Sequence, residues 1–156
     1  MMEIRVSGHP VLIDEEDYNR VSKYKWCLMK GSYTFYVRTG KATQLHRFIL
    51  NAPKGSNIDH IDGNGLNNQK NNLRYATKTE NSQNRHFRGG KIPYKGVSLQ
   101  SKKNKYQARI KVNRREIYLG LFSSAVCAAL AYDKAAKKYF GEFANINFSD
   151  SWYDKS

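Results

Sequence analysis

Asp59 and His60 stand side by side in the stretch LHRFILNAPKGSNIDHIDGNGLNNQKNNLRYATKTENSQNR, residues 45–85. Asp62 follows, Asn and Gly crowd the chain through Asn72, and Asn81 lies 21 residues beyond the histidine, directly after Glu80. A histidine with a pKa near ~6.5 takes a proton from water at neutral pH. An aspartate carboxylate and an asparagine carbonyl offer a hard divalent cation two oxygens and leave room for water and phosphate, the sparse ligation that Mg²⁺ favours. A base for water, a cation on the phosphate and stabilisation of a leaving 3′ oxygen are the requirements of phosphodiester hydrolysis. The same residues also suit a polar loop held by side-chain to backbone hydrogen bonds, and that reading stands beside the first.

Other residues in this stretch carry weaker signals. His46, in LHR ahead of the motif, is read either as a contact to the scissile phosphate or buttress of the site, or as a packed, hydrogen-bonded strand histidine. Arg74 is a candidate phosphate ligand against the default of a solvated arginine. His9 and His86 have no partner signature, and His86 is at most a phosphate contact in a linker. Cys27 and Cys127 lie 100 residues apart without a Cys-x-x-Cys partner, so they read as small buried hydrophobes and offer neither a disulfide framework nor a structural zinc site.

The elements are clearest in the last third. YKGVSLQ (94–100), YQARIKV (106–112) and EIYLGLF (116–122) are short β-prone runs separated by polar turns and predict a three-stranded antiparallel meander. Ser123 or Ser124 then caps a helix in which Ala125, Ala128, Ala129, Tyr132, Ala136 and Phe140 recur at helical spacing, stopped by Gly141. Alternation puts Ala108 and Ile110 against that helix and Gln107, Arg109 and Lys111 on the other face. With Val97, Leu99, Leu119 and Leu121 inward, Ser98, Gln100 and Tyr118 join the outward face. Cations, amides and an aromatic ring together suit phosphate oxygens and base edges, against the plainer alternative that the cations only solvate the sheet.

Size and charge frame these modules. The chain has 156 residues, with 27 Lys and Arg against 13 Asp and Glu, a net charge of +14 and a pI near 9.8. That balance attracts a polyanion, and nucleic acid is the expected partner. The charge is uneven: residues 1–17 hold five acids against Arg5, whereas residues 91–122 hold nine Lys and Arg against one Glu. The hydrophobic share of 40% is too high for a disordered basic tail, and the longest apolar run, Ala125 to Tyr132, is 8 residues, so a folded chain without a membrane span is expected. The opening segment has acids where a signal peptide has an apolar core, and secretion is not indicated. SQNRHFRGGKIP (82–93) favours an irregular connection, with a boundary near residues 88–92.

The pattern DHIDGNxxNNxxxNLRxxTxxEN resembles the HNH nucleases of phage and mobile introns, in the variant with Asn in place of the last His. The resemblance covers roughly residues 10–86, since VLIDEEDYNRVSKYKW and LHRFIL are also typical upstream segments. It implies a ββα-metal fold in which Asp59 and His60 end the first strand, the loop from Gly63 to Asn71 follows, Asn72 braces that loop and Asn81 comes from the helix. The implied roles are His60 as general base and Asp59 and Asn81 as ligands of Mg²⁺ or Mn²⁺. Asn72 is preferred over Asn71 as the brace because it directly precedes Leu73-Arg74.

Residues 92–148 are similar to the plant ethylene-response-factor (Apetala-type) DNA-binding domain, on the Tyr118-Leu119-Gly120 step, the Ala-Tyr-Asp-x-Ala-Ala helix core and the terminal Asn147-Phe148. In that family a three-stranded sheet lies in the major groove. The likeness carries a DNA-contact role onto Ser98, Gln100, Arg109, Lys111 and Tyr118. Ser98 and Gln100 stand where the plant proteins usually have arginines, Arg109 where they have an acid and Tyr118 where they have a tryptophan, so the plant target sequence does not transfer.

The expectation is an α+β chain with an HNH nuclease domain over 1–88 (core motif 45–85), a domain over 92–148 of a three-stranded antiparallel sheet packed on one helix, and a tail over 149–156. The expected activity is a site-specific, metal-dependent DNA endonuclease of the homing type. It is expected to act on double-stranded DNA as a monomer in the cytoplasm of a prokaryotic or phage-infected cell. The alternative is a DNA-binding regulator with an inactive HNH fold; an RNA-binding protein fits less well because the sheet aromatics form no stacking pair.

Overall fold

The computed structural model describes residues 1–40, 43–84, 87 and 89–149. The chain divides into two compact units, one over Met1–Asn81 and one from Ser82 onward. The first mixes small antiparallel sheets with short helices, and the second combines one antiparallel sheet with a long helix.

The first unit opens with a hairpin of β1 (Met2–Val6) and β2 (His9–Ile13), paired Met2 with Ile13 and Ile4 with Val11. The short helix α1 (Tyr18–Val21) leads to a second hairpin, β3 (Trp26–Lys30) with β4 (Phe35–Thr39), and then to α2 (Leu45–Ile49). β5 (Ile58–His60) pairs antiparallel with β6 (Leu73–Tyr75), and α3 (Lys78–Gln83) follows. One core joins these pieces: Val6, Val11, Ile13, Val21, Val37, Leu45, Ile49, Ile58 and Leu73 are all buried. Alternation along each hairpin supplies one apolar face, and the segments between strands close over it.

α3 begins in a capping box. The Thr77 amide donates to Glu80 Oε2 at 2.7 Å and the Glu80 amide to Thr77 Oγ1 at 3.2 Å, so two of the N–H groups that a helix start leaves unpaired find acceptors. The acids near the start of the chain have structural work in this unit. Asp14 Oδ2 accepts the Lys70 amide at 2.8 Å, and the Lys70 ammonium reaches Glu16 and the buried carboxylate of Asp17.

The second unit is a sheet ordered β7 (Val97–Gln100), β8 (Lys105–Val112), β9 (Arg115–Phe122), with α4 (Ala125–Phe140) packed on it. Ser124 caps α4, its side chain accepting from the Cys127 amide at 3.1 Å, and Gly141 ends it at φ +54°. Ile110, Tyr132, Ala135, Ala136 and Phe140 form the core between sheet and helix, with Ile117 and Leu119 against it.

A bulge corrects the expected inward set. Ala108 pairs with Gly120 but Arg109 with Tyr118, so Leu119 is an extra residue in β9. Gly120, at φ +138°, supplies the backbone that this irregularity uses. Alternation reverses across the bulge: Leu119 faces the core, whereas Leu121 pairs with Gln107 on the opposite face. Gln107, expected outward and wet, is therefore buried beside Leu121 and accepts a hydrogen bond from Gln100 Nε2. Leu99, expected inward, pairs with Tyr106 near the sheet end and is 41% exposed. Both cysteines, expected buried, are exposed: Cys27 lies opposite Arg38 on the hairpin and Cys127 lies in the first turn of α4.

α4 also anchors the chain that follows it. Asp133, fully buried, accepts from the Asn147 amide and Nδ2, each at 2.8 Å, and from the Phe148 amide at 3.0 Å. Asn147 Oδ1 in turn accepts the Lys95 amide at 2.6 Å, and Asn147 Nδ2 donates to the Lys95 carbonyl at 3.2 Å. The Asn147-Phe148 pair is thus a brace at the start and end of the unit. No helix among the described residues is long and apolar enough to cross a membrane.

Candidate active site

β5 is only three residues long, and all three are buried, so Asp59 and His60 enter the interior as neighbours pointing to opposite sides of the strand. After His60 the chain turns through Gly63, whose amide donates to the His60 carbonyl at 2.9 Å. Asp62 organises the turn: Oδ1 accepts the Asn64 amide at 2.8 Å and Asn72 Nδ2 at 2.9 Å, and Oδ2 accepts Asn67 Nδ2 at 2.8 Å. Asn72 answers from the far end, its Oδ1 accepting the Asp62 amide at 3.0 Å and its Nδ2 donating to the Asn67 carbonyl at 2.8 Å. The polar loop held by side-chain to backbone bonds and the candidate site are one object.

The loop is fixed from two other directions. The Leu12 amide donates to the Leu66 carbonyl and the Asn68 amide to the Leu12 carbonyl, at 2.9 and 2.8 Å, tying the loop to β2. The Gly65 amide donates to Thr34 Oγ1 at 3.1 Å, and a Cβ on Gly65 would lie 2.4 Å from the Phe35 carbonyl and 2.7 Å from the Tyr36 ring. Only glycine allows that approach.

His60 sits among rings and amides. Its Nε2 is 3.5 Å from Oδ1 of the fully buried Asn68, its ring centroid is 5.0 Å from that of His46 in an edge-on contact, and 5.8 Å from Tyr36. Burial lowers the His60 pKa below the usual 6.5, opposed by the Asn68 contact and by the charges of Asp62 and Asp59. Burial likewise raises the Tyr36 phenol, helped by the Asp59 charge.

His46 lies on α2, not on a strand, so the strand reading is corrected. LHRFI takes one short helical turn that carries Leu45 and Ile49 into the core and His46 onto His60. His46 Nδ1 is buried without a hydrogen-bond partner among the described residues, and burial, the neighbouring His60 and Arg47 push its pKa down to about 3. The sign follows: on acidification an unfolded chain takes up this proton near pH 6.5, while the folded chain refuses it until about 3. Unfolding free energy is therefore expected to fall across that window by about 1.4 kcal/mol per pH unit for this residue. His46→Phe, which keeps a flat ring in place, is expected to flatten the slope by one proton in denaturant titrations between about pH 6.5 and 4; equal slopes would show that His46 protonates in the folded chain.

Arg74, taken by default as a solvated arginine, is instead held inside. It faces Asp59 directly across β5 and β6 and donates from Nε and a terminal nitrogen to Asp59 Oδ2 at 3.0 and 2.8 Å. Asn81 is exposed on α3; its backbone amide bonds the Thr77 carbonyl, and its side chain makes no hydrogen bond among the described residues. The structure thus gathers Asp59, His60, Asn72, His46 and Arg74, adds Asn68, Tyr36 and Asp62, and leaves Asn81 exposed beside them in sequence. Asn68 lacked a distinguishing signal among its asparagine neighbours. The Thr77-x-x-Glu80 spacing before Asn81 did mark the start of a helix.

In the second unit the expected contact residues are distributed unevenly. Ser98, Arg109 and Lys111 are exposed and Tyr118 is 59% exposed, while Gln100 is half-buried against Gln107. Arg109 forms an exposed ion pair with Glu116 Oε2 at 2.7 Å. His86 lies outside the described residues, and the His9 ring packs at a tilt against Phe35, 5.4 Å between centroids.

Comparison with known proteins bears on both units. A family profile described as HNH endonuclease matches residues 51–83. An uncharacterized HNH endonuclease of Acanthamoeba polyphaga mimivirus is 40% identical over 152 residues, spanning 94% of this chain and 79% of the relative. An APETALA2-like protein of Oryza sativa subsp. indica is 39% identical over 61 residues, 39% of this chain and 14% of the relative. An ethylene-responsive transcription factor of Arabidopsis thaliana is 41% identical over 66 residues, covering 40% of this chain and 36% of the relative.

Proposed function

The chain belongs to the HNH endonuclease family, and from that premise we propose that it is a site-specific DNA endonuclease of the homing type. In this reading residues 1–88 form the nuclease domain and hydrolyse the phosphodiester, and residues 92–148 form an ethylene-response-factor-like domain that finds the target. The observation that carries the proposal is His60, 5% exposed at the end of β5, fixed between Asn68 and His46 and adjacent to Asp59.

His60 is the general base. If Nε2–H donates to Asn68 Oδ1, the basic lone pair belongs to Nδ1, which is the atom that takes the proton from water. The lowered pKa favours the neutral form of His60, which is able to accept that proton, at neutral pH. His46, held neutral at its edge, adds no positive charge that would repel the proton His60 receives. Asn72 holds the loop that follows the base, through the bonds to Asp62 and Asn67.

HNH nucleases generally use a divalent metal ion. The oxygen donors Asp59 and Asn81 fit Mg²⁺ or Mn²⁺ by their chemistry, with water and phosphate completing the shell. A cation held there would polarise the phosphate and offset charge on the leaving 3′ oxygen. The ββα arrangement of the family, with Asp59 and His60 on its first strand and Asn81 on its helix, is supported by the order β5, β6, α3.

On the second unit, Ser98, Arg109, Lys111 and Tyr118 share the face away from α4, with Gln100 at its margin. The Arg109 pair with Glu116 is exposed on both sides, so releasing the guanidinium to a guanine edge costs little. A net charge of +14 favours a DNA duplex as the partner of the whole chain. Conversion of supercoiled plasmid tests the proposal: relaxed or linear product is expected with Mg²⁺ or Mn²⁺ and none in excess chelator. Binding without conversion under any divalent cation would favour a DNA-binding regulator with an inactive site.

A further inference from the structure

Arg74 and Asp59 form a strongly buried ion pair, with side chains 12% and 6% exposed. Two guanidinium N–H groups reach one carboxylate oxygen, and the partners face each other across a two-stranded ladder. A carboxylate this deep requires a counter-charge, because leaving it uncompensated in the interior is strongly unfavourable. In the free chain Arg74 supplies that charge. A divalent cation on the same carboxylate places two centres of positive charge within a few ångströms in a poorly screened interior. A phosphodiester entering the site offers the guanidinium another anion with matching fork geometry.

We propose that Arg74 is the exchangeable counter-ion of Asp59: it neutralises the carboxylate when no cation is bound, and passes to the DNA phosphate as a cation takes its place. Cation and DNA then strengthen one another, since each removes the cost that the other meets. Arg74 is also a brake, because cation loading without DNA must break a buried pair. The proposal rests on the reading of Asp59 as a cation ligand, and its test separates the two.

The experiment measures Mn²⁺ binding to the full-length protein by the electron paramagnetic resonance of free Mn²⁺, for wild type, Arg74→Gln and Asp59→Asn. The affinity of each for a short duplex with a non-hydrolysable backbone is measured with and without Mn²⁺. Arg74→Gln is expected to bind Mn²⁺ several-fold more tightly than wild type without DNA, and to show a smaller Mn²⁺-induced gain in duplex affinity. Arg74→Met, which keeps an apolar stem, replaces the Gln variant should circular dichroism show that variant unfolded. Unchanged or weaker Mn²⁺ binding in a folded Arg74 variant overturns the exchange and makes Arg74 a fixed orienting partner. Wild-type Mn²⁺ binding by Asp59→Asn removes Asp59 from the ligand set, whatever the Arg74 variants do.

Discussion

His60→Ala is expected to lower the rate of DNA cleavage by about two to four orders of magnitude, the usual worth of a positioned general base, while duplex affinity changes little. The loss comes from chemistry because His60 is buried beside Asn68 and His46, and in the proposed function its imidazole acts on water and not on the duplex. Rates of plasmid nicking at saturating protein, with affinity measured separately on a short duplex, check it. His60→Gln, which keeps a polar planar group in the pocket, is expected to fold as wild type and cut as poorly as Ala. Cutting at the wild-type rate by either variant would remove His60 from the mechanism.

Asp133→Ala carries the largest expected effect on stability. The carboxylate is fully buried and accepts from two amides and a side-chain nitrogen at 2.8 to 3.0 Å. Truncation leaves three donors without their acceptor, and hydrogen bonds to charged groups each contribute about 1.5 to 3 kcal/mol, so a loss of about 3 kcal/mol or more is expected. Because Asn147 also holds the Lys95 backbone, the damage spreads to the segment entering β7. Amide hydrogen exchange on the full chain reads this out: protection in β8 and β9 is expected to collapse while β1 and β2 keep theirs. Asp133→Asn, retaining one acceptor, is expected to fall between. Wild-type protection in Asp133→Ala would show that the brace contributes little.

What was legible in the sequence was local. Asp59, His60 and Asn72 lie within one short segment, and the resemblance of that segment to the HNH motif related them. Ala128, Ala129, Tyr132, Ala136 and Phe140 marked one face of α4 by their helical spacing, and all five are buried. Distant pairings were not legible. The ring of His46 meets that of His60 only because α2 and β5 share one core, and Lys70 meets Asp14, Glu16 and Asp17 across more than fifty residues. Arg74 gave no sign of its partner until the β5 and β6 register set it opposite Asp59. Alternation failed at Leu121 because the bulged Leu119 reverses the side chains beyond it in β9, and Gln107, on the outward face as expected, is buried because Leu121 lands opposite it. Leu99 was misread because a strand position near a sheet end faces the right way and still lacks cover.

In the proposed function one unit cuts and the other finds the address. Mapping cut sites over a randomised duplex library, for the wild type and for the Arg109→Ala, Lys111→Ala double variant, tests that claim most directly. Wild type is expected to cut at a defined consensus, and the double variant to keep cutting while its consensus relaxes and its binding falls less steeply with salt. No consensus from the wild type, or the same consensus from both proteins, would contradict it.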